Sequence, residues 1–327
     1  MRKDSANRMS RQQFLKIAAG GAIGAALPSV ARAQSPGPTT CLYKTVGGCQ
    51  IRADVYPSAR GAPKPAVMWI HGGALIMGSR KWPDAGFFAA LRQRGFVIVS
   101  IDYRLAPETK LPGIIEDVQD AWRWMRQEGP KRFGIDPEGM ATAGGSAGGY
   151  LTLMTGFCLE PRPRVLISYY GYGDITTPWF SKPDAFYRRR QLVSKEEAYR
   201  SVGRRELSEP PTPDQREQFY LYCRQQGAWP NEVAGHDPHG EPKWFDAYCP
   251  IRNVTAAYPP TLLIHGTADT DVPYSESKNM ADKLAESSVT HELITVTGAG
   301  HGLSGAKPDK VAQIAQQAAE YIKSHTS

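Results

Sequence analysis

Ser146 stands in Gly144-Gly145-Ser146-Ala147-Gly148, between the apolar stretch Met140-Ala141-Thr142-Ala143 and the helix-like Tyr150-Leu151-Thr152-Leu153-Met154. Strand, small-residue turn and helix in that order can lift a serine hydroxyl onto a tight bend and present it as a nucleophile. The flanking glycines admit a backbone conformation that larger side chains would obstruct, and a helix N-terminus behind the serine favours developing negative charge. A chain with 32 glycines can produce such a pentad by chance, so its partners must decide.

A serine hydroxyl is a poor nucleophile at neutral pH; it needs a base to take its proton and a carboxylate to orient that base. Both follow in the chain. Asp269 comes after the strand-like Thr261-Leu262-Leu263-Ile264-His265, with Asp271 as a rival two residues on, and His301 sits between glycines after the strand-like Glu292-Leu293-Ile294-Thr295-Val296. Upstream, His71-Gly72-Gly73-Ala74 closes the apolar run 66–70 and can aim backbone N–H groups outward. The candidate catalytic residues are thus Ser146, Asp269 and His301, and the candidate oxyanion donors are the N–H groups of Gly72, Gly73 and Ala147. His71 and His265, each at a strand end, are expected to be structural.

The order Ser, Asp, His on alternating strands and helices resembles the α/β-hydrolase superfamily. The wording of His71-Gly72-Gly73, Asp102-Tyr103-Arg104-Leu105-Ala106-Pro107-Glu108 and Gly145-Ser146-Ala147-Gly148-Gly149 resembles its hormone-sensitive-lipase-like and feruloyl- or acetylxylan-esterase-like carboxylesterases. The resemblance covers roughly residues 45–175 and 255–325. It implies a mostly parallel central sheet flanked by helices, and it favours Asp269, the Asp of Asp269-Thr270-Asp271-Val272-Pro273, as the acid. Two departures stand out: Ala74 replaces the third loop glycine, and Gly145 replaces the Asp usual before the nucleophile in the lipase-like relatives. The second leans toward the feruloyl-esterase-like group. Asp102 and Arg104 are expected to form an internal ion pair near the oxyanion loop.

The elements needed to hold these residues are visible as strands near 50–56, 66–70, 96–101 and 165–169, helices near 84–93 and 114–127, and a turn at 134–137. From about residue 174 to 250 this rhythm breaks into a polar, proline-punctuated stretch rich in aromatics, Trp179, Phe180, Tyr187, Tyr220 and Trp229 among them. An insertion at that point is where α/β-hydrolases carry a cap. Most of its aromatics are expected to pack the cap and a few to line the substrate pocket.

Residues 1–33 are expected to be an export signal. Basic Arg2, Lys3, Arg8 and Arg11 precede an uncharged stretch from 17 to 30, followed by Ala31-Arg32-Ala33 at cleavage-site positions. Ser10-Arg11-Gln12-Gln13-Phe14-Leu15-Lys16 resembles a twin-arginine motif with Gln12 in place of the second arginine. The uncharged stretch is 14 residues, short of the ~20 needed to span a bilayer, so no stable membrane insertion is expected. Of the net charge of +7, six basic residues against Asp4 place +5 in the leader. The remaining +2 calls for no nucleic-acid partner.

Five cysteines follow the leader. Cys41 with Cys49, and Cys223 with Cys249, are candidate pairs in an oxidising compartment. No cysteine pair has zinc-ligand spacing, and His236-Asp237-Pro238-His239 is expected to be a polar loop, so neither metal nor cofactor is expected.

The sequence therefore predicts one exported catalytic domain, periplasmic or secreted, hydrolysing a small-molecule or polysaccharide-linked ester through an acyl-enzyme. A prolyl-oligopeptidase-like peptidase, a lactonase or acyltransferase, and a hydrolase-fold binding protein without catalysis are the alternatives.

Overall fold

The computed structural model describes residues 37–58, 61, 63–210 and 216–326; the expected export signal lies outside them. Eight strands form one sheet: β1 (Thr39–Val46), β2 (Cys49–Tyr56), β3 (Lys64–Ile70), β4 (Val97–Ile101), β5 (Ile135–Gly145), β6 (Leu166–Tyr169), β7 (Thr261–Gly266) and β8 (His291–Val296). Their order is β1-β2-β4-β3-β5-β6-β7-β8. β1 and β2 pair antiparallel, as do β2 and β4, and every pairing from β4 to β8 is parallel. The expected mostly parallel sheet flanked by helices is what forms.

The first expected strand has a predecessor. β1 precedes it in a hairpin closed at Val46 and Cys49 by Gly47 and Gly48, both at positive φ (55° and 81°), as a two-residue turn of that hand requires.

Parallel strands buried on both faces read as continuous apolar runs, and residues 66–70 of β3 are all buried. On one face, α1 (Ala85–Gln93) and α9 (Pro308–Thr326) set Phe87, Leu91, Ile314 and Ile322 against Val67, Trp69, Ile98 and Ile264. Asp84 begins α1 as its cap, its carboxylate accepting from the N–H of Phe87 at 2.9 Å. On the other face, α2 (Leu111–Phe133) and α3 (Ala147–Cys158) bring Ile114, Val118, Trp122 and Leu151 onto Met68, Ile70 and Val99. α8 (Tyr274–Glu286) adds Met280 and Leu284 over Leu166 and Leu263.

α2 is longer than its sequence pattern at both ends. Pro112 fits its first turn, where its missing N–H costs nothing, and Gly134 stops it in a left-handed conformation (φ 65°). The expected turn at 134–137 is therefore only that one residue, and β5 already begins at Ile135.

Between β6 and β7 lies an insert of short helices: α4 (Pro178–Ser181), α5 (Lys195–Tyr199), α6 (Glu217–Gln226) and α7 (Trp229–Ala234), with 3-10 turns at Tyr187–Arg189 and Pro242–Tyr248. Its aromatics, Phe180, Phe219, Trp229 and Phe245, continue the core of the α2 and α3 face.

Candidate active site

β5 ends at Gly145 and α3 begins at Ala147, leaving Ser146 alone in the bend at φ 56°, ψ −122°. A non-glycine residue in that region carries backbone strain, and its surroundings hold it there. The Ser146 N–H donates to the Tyr169 carbonyl at 2.9 Å, and its own carbonyl accepts from Tyr150 N–H at 3.0 Å. The bend closes because Gly148 has no side chain: a Cβ there would stand 2.0 Å from the Ile70 carbonyl oxygen.

His301 enters on the turn after β8 and spans the other two residues. Its Nε2 lies 3.1 Å from Ser146 Oγ and its Nδ1 lies 2.8 Å from Asp269 Oδ2. A carboxylate only accepts, so the proton of the neutral ring sits on Nδ1 and leaves the Nε2 lone pair facing the hydroxyl. The Asp269 side chain is wholly buried. Its Oδ1 accepts from the N–H groups of Asp271 and Val272 at 2.8 and 2.9 Å, and Oδ2 also lies 3.3 Å from His265 Nε2. Burial pushes this carboxyl up, but the hydrogen bonds from His265 and His301 and the charge of His301 outweigh it and hold it well below the carboxylate range.

Asp271 takes a different place from Asp269. Its Oδ2 lies 3.5 Å from His301 Nε2, the ring nitrogen that Asp269 does not contact. Its Oδ1 accepts from Tyr187 at 2.8 Å, from Arg224 Nη1 at 2.6 Å and from the Tyr220 hydroxyl. For His301, burial disfavours the charged ring. The Asp271 charge and the hydrogen bond and charge of Asp269 more than offset this, so its pKa is raised above 6.5.

The loop after β3 lies against the serine bend: a Cβ on Gly72 would be 3.2 Å from Ser146 Cβ. Gly73 turns at φ 108°, and its carbonyl accepts from the N–H groups of Ile76 and Met77, each at 2.9 Å. Ala74 and Leu75 follow at φ 55° and 62°, so the position lacking the third glycine adopts the left-handed conformation nonetheless. His71 braces the loop from beneath. It is buried, stacked on Tyr103 at 4.2 Å, with Nδ1 2.7 Å from the Gly72 carbonyl, and burial lowers its pKa to about 4.

Residues 67–304 match a family profile described as an α/β hydrolase fold. The chain belongs to this α/β-hydrolase family. It is 29% identical over 316 residues to the non-reducing polyketide synthase ausA of Emericella nidulans, a match covering 80% of this chain and 13% of that protein. It is also 29% identical over 253 residues to esterase LipC of Mycobacterium tuberculosis, covering 75% of this chain and 55% of the esterase. The chain thus spans less than two thirds of either relative. A solved structure from Staphylococcus aureus, of unknown function, superposes with a TM-score of 0.74 at 21% identity, covering 88% of this chain and 100% of that one. The resemblance drawn from the motifs is borne out at the level of fold and family.

Asp102 and Arg104 do not pair with each other as expected. Asp102 binds Arg80, which also reaches Asp54, and Arg104 binds Asp117 through Nε and Nη2 at 2.8 Å each and Glu206 at 2.9 Å. Each is drawn to a buried counter-charge on another element, and Asp117 would otherwise be a buried carboxylate with less compensation.

The five cysteines are free thiols. Cys41 pairs in register with Ala53 and Cys49 with Val46, so the expected pair lies at opposite ends of the hairpin. Five residue steps of strand separate Cys41 from Val46, roughly 16 Å at the usual rise per residue, far beyond disulfide reach. His236 stacks on Trp244 and contacts Glu241 at 3.0 Å, and His239 Nε2 lies 3.3 Å from the Ser181 carbonyl.

Sequence reasoning missed two residues that bear on the imidazole, one in contact and one through its charge. Tyr170, at φ 39°, sets its ring edgewise 4.9 Å from His301. Arg224 is buried among the rings of Trp179, Phe180, Tyr187 and Tyr220. Neither lies in a motif; the one available signal was an arginine amid the insert's aromatics.

Proposed function

We propose that this protein is an exported serine-dependent carboxylic ester hydrolase, with Ser146 as nucleophile, His301 as general base and acid, and Asp269 as the carboxylate that orients the imidazole. The observation that carries this reading is the continuous relay from Ser146 Oγ to His301 Nε2 to Asp269 Oδ2, at 3.1 and 2.8 Å. The likeness to an esterase among its relatives supports the choice of bond. The basic, then uncharged leader supports export.

In the proposed reaction, Oγ attacks the ester carbonyl while its proton passes to Nε2. Asp269 stabilises the imidazolium so formed without taking the proton. The carbonyl oxygen becomes an oxyanion, for which the N–H groups of Gly72, Gly73 and Ala147 are the proposed donors, aided by the N-terminus of α3. Collapse expels the alcohol, protonated from Nε2, and leaves an acyl-serine. Water, deprotonated by the same nitrogen, then releases the acid and restores the hydroxyl.

The test is hydrolysis of p-nitrophenyl acetate, butyrate and octanoate, methyl ferulate, acetylated xylan and a proline-containing p-nitroanilide, by wild type and Ser146→Ala. Ester cleavage lost in the variant supports the reading. Cleavage of the anilide alone would replace it with a peptidase, and activity retained without Ser146 would overturn the assigned nucleophile.

A further inference from the structure

The carboxylate of Asp271 points at the nitrogen through which every proposed proton transfer passes. With a neutral ring, whose Nε2 lone pair is turned to Ser146, Asp271 Oδ2 stands 3.5 Å from an uncharged nitrogen and gains little from it. Once Nε2 takes the serine proton, the same contact becomes an attraction between a cation and an anion. An interaction that improves only as the imidazolium forms lowers the barrier instead of merely tightening the ground state.

The strength of that interaction is not set by Asp271 alone. Among the described residues, the three donors to its other oxygen come from the insert: Tyr187 on a 3-10 turn, and Tyr220 and Arg224 on α6. Arg224 is itself shared, its Nη2 binding Asp184 at 2.6 Å. Its charge is thus divided between two carboxylates and only partly neutralises Asp271.

We propose that Asp271 is a positioning residue for the imidazole of His301, a second carboxylate aimed at Nε2 whose effect is trimmed by Arg224, so that seating of the insert tunes the base. This rests on the serine-hydrolase reading above. The proton travels only between Ser146, Nε2 and the leaving alcohol or water; Asp271 stays ionised throughout. The groups facing the imidazole are Ser146 from the bend after β5, Tyr170 after β6, Asp269 and Asp271 after β7, and Arg224, at longer range, from α6. Of the charged groups among these, the two carboxylates favour the protonated ring and Arg224 opposes it.

The experiment is a pH titration of the His301 ring by 1H–13C NMR in histidine-labelled full chain, with His301 assigned by its absence in His301→Gln. It is run beside the pH dependence of fluorophosphonate labelling of Ser146. Asp271→Asn preserves shape and removes the charge. His301 is expected to titrate at lower pH, and the plateau labelling rate to fall severalfold. Arg224→Met is expected to move the titration the opposite way. Should that variant fail to fold, Tyr187→Phe, which strips one donor from Oδ1 and keeps the ring packing, is expected to move it upward by less. A His301 titration unchanged in both Asp271→Asn and Tyr187→Phe, in protein that melts like wild type, overturns the proposal. Absence of labelling in wild type would sink the hydrolase reading instead, and the ring titration would still decide the role of Asp271.

Discussion

The indole N–H of Trp229 donates to the carbonyl oxygen of Ala74 at 2.8 Å, in a buried contact that fastens α7 of the insert to the turn carrying Gly72 and Gly73. Trp229→Phe keeps an aromatic against Phe180, on which the indole stacks at 4.0 Å, but leaves that carbonyl unpaired. A stability loss of about 1–3 kcal/mol is expected, read as a lower urea midpoint. Donors to an oxyanion act chiefly in the transition state, so kcat on p-nitrophenyl acetate should fall more than KM changes. A rise in KM with kcat intact would uncouple the indole from the loop's alignment.

Nε2 must be unprotonated to accept the serine proton. Because the His301 pKa is raised from 6.5, kcat/KM should rise through an acid limb lying above that value, where an isolated imidazole would place it at 6.5. A limb at or below 6.5 contradicts the electrostatics described. The same shift has a stability sign. A pKa higher in the folded than in the unfolded chain contributes stability that is fully present below the unfolded value and is lost as pH rises through the folded one. The stability difference between wild type and His301→Gln, measured by urea unfolding, should therefore shrink as pH is raised through the limb.

Glu108 and Arg216 form a 2.6 Å ion pair in which each side chain is only 1% exposed. The pair joins the segment after β4 to the start of α6. Glu108→Ala strands a buried guanidinium and should cost roughly 3–5 kcal/mol. The double change Glu108→Leu with Arg216→Met should recover much of it, because two apolar side chains leave no orphaned charge. Equal instability of the single and double variants, by thermal melting, would show that the pair's value lies in its shape.

Two glycines separate space from conformation. Gly148→Ala places a methyl 2.0 Å from a backbone oxygen of β3 that cannot swing aside, so loss of turnover together with at least about 2 kcal/mol of stability is expected. Gly86→Ala, in α1, meets its nearest neighbours at 3.5 and 3.8 Å. That change should be neutral or stabilising by up to about 1 kcal/mol. Comparable melting temperatures for the two variants would refute the packing account of the bend.

How far the sequence revealed the molecule depends on whether a residue's role is local. Ser146, Asp269 and His301 each follow a strand and sit among small residues, so their positions were legible from neighbours in the chain, and the structure brings them into one line. What escaped was set by contacts between distant segments. Asp102 and Arg104 are two residues apart, yet their partners, Arg80 and Asp117, come from other elements. β1 went unread as a strand because its exposed positions dilute the alternation. Asp271 could be seen only as a rival to Asp269, since which ring nitrogen each carboxylate meets is decided by how the loop folds back under Tyr187, Tyr220 and Arg224.

The sheet order also has a consequence for synthesis. The serine bend is complete once β3, β5 and β6 are together, all within the first 169 residues, whereas Asp269 and His301, the proposed acid and base, follow β7 and the edge strand β8. A chain emerging N-terminus first would thus carry a finished but idle hydroxyl. Without its proton acceptor that group is not activated, so a nascent chain, or a fragment clipped within the insert, should cleave esters far more slowly than the full chain.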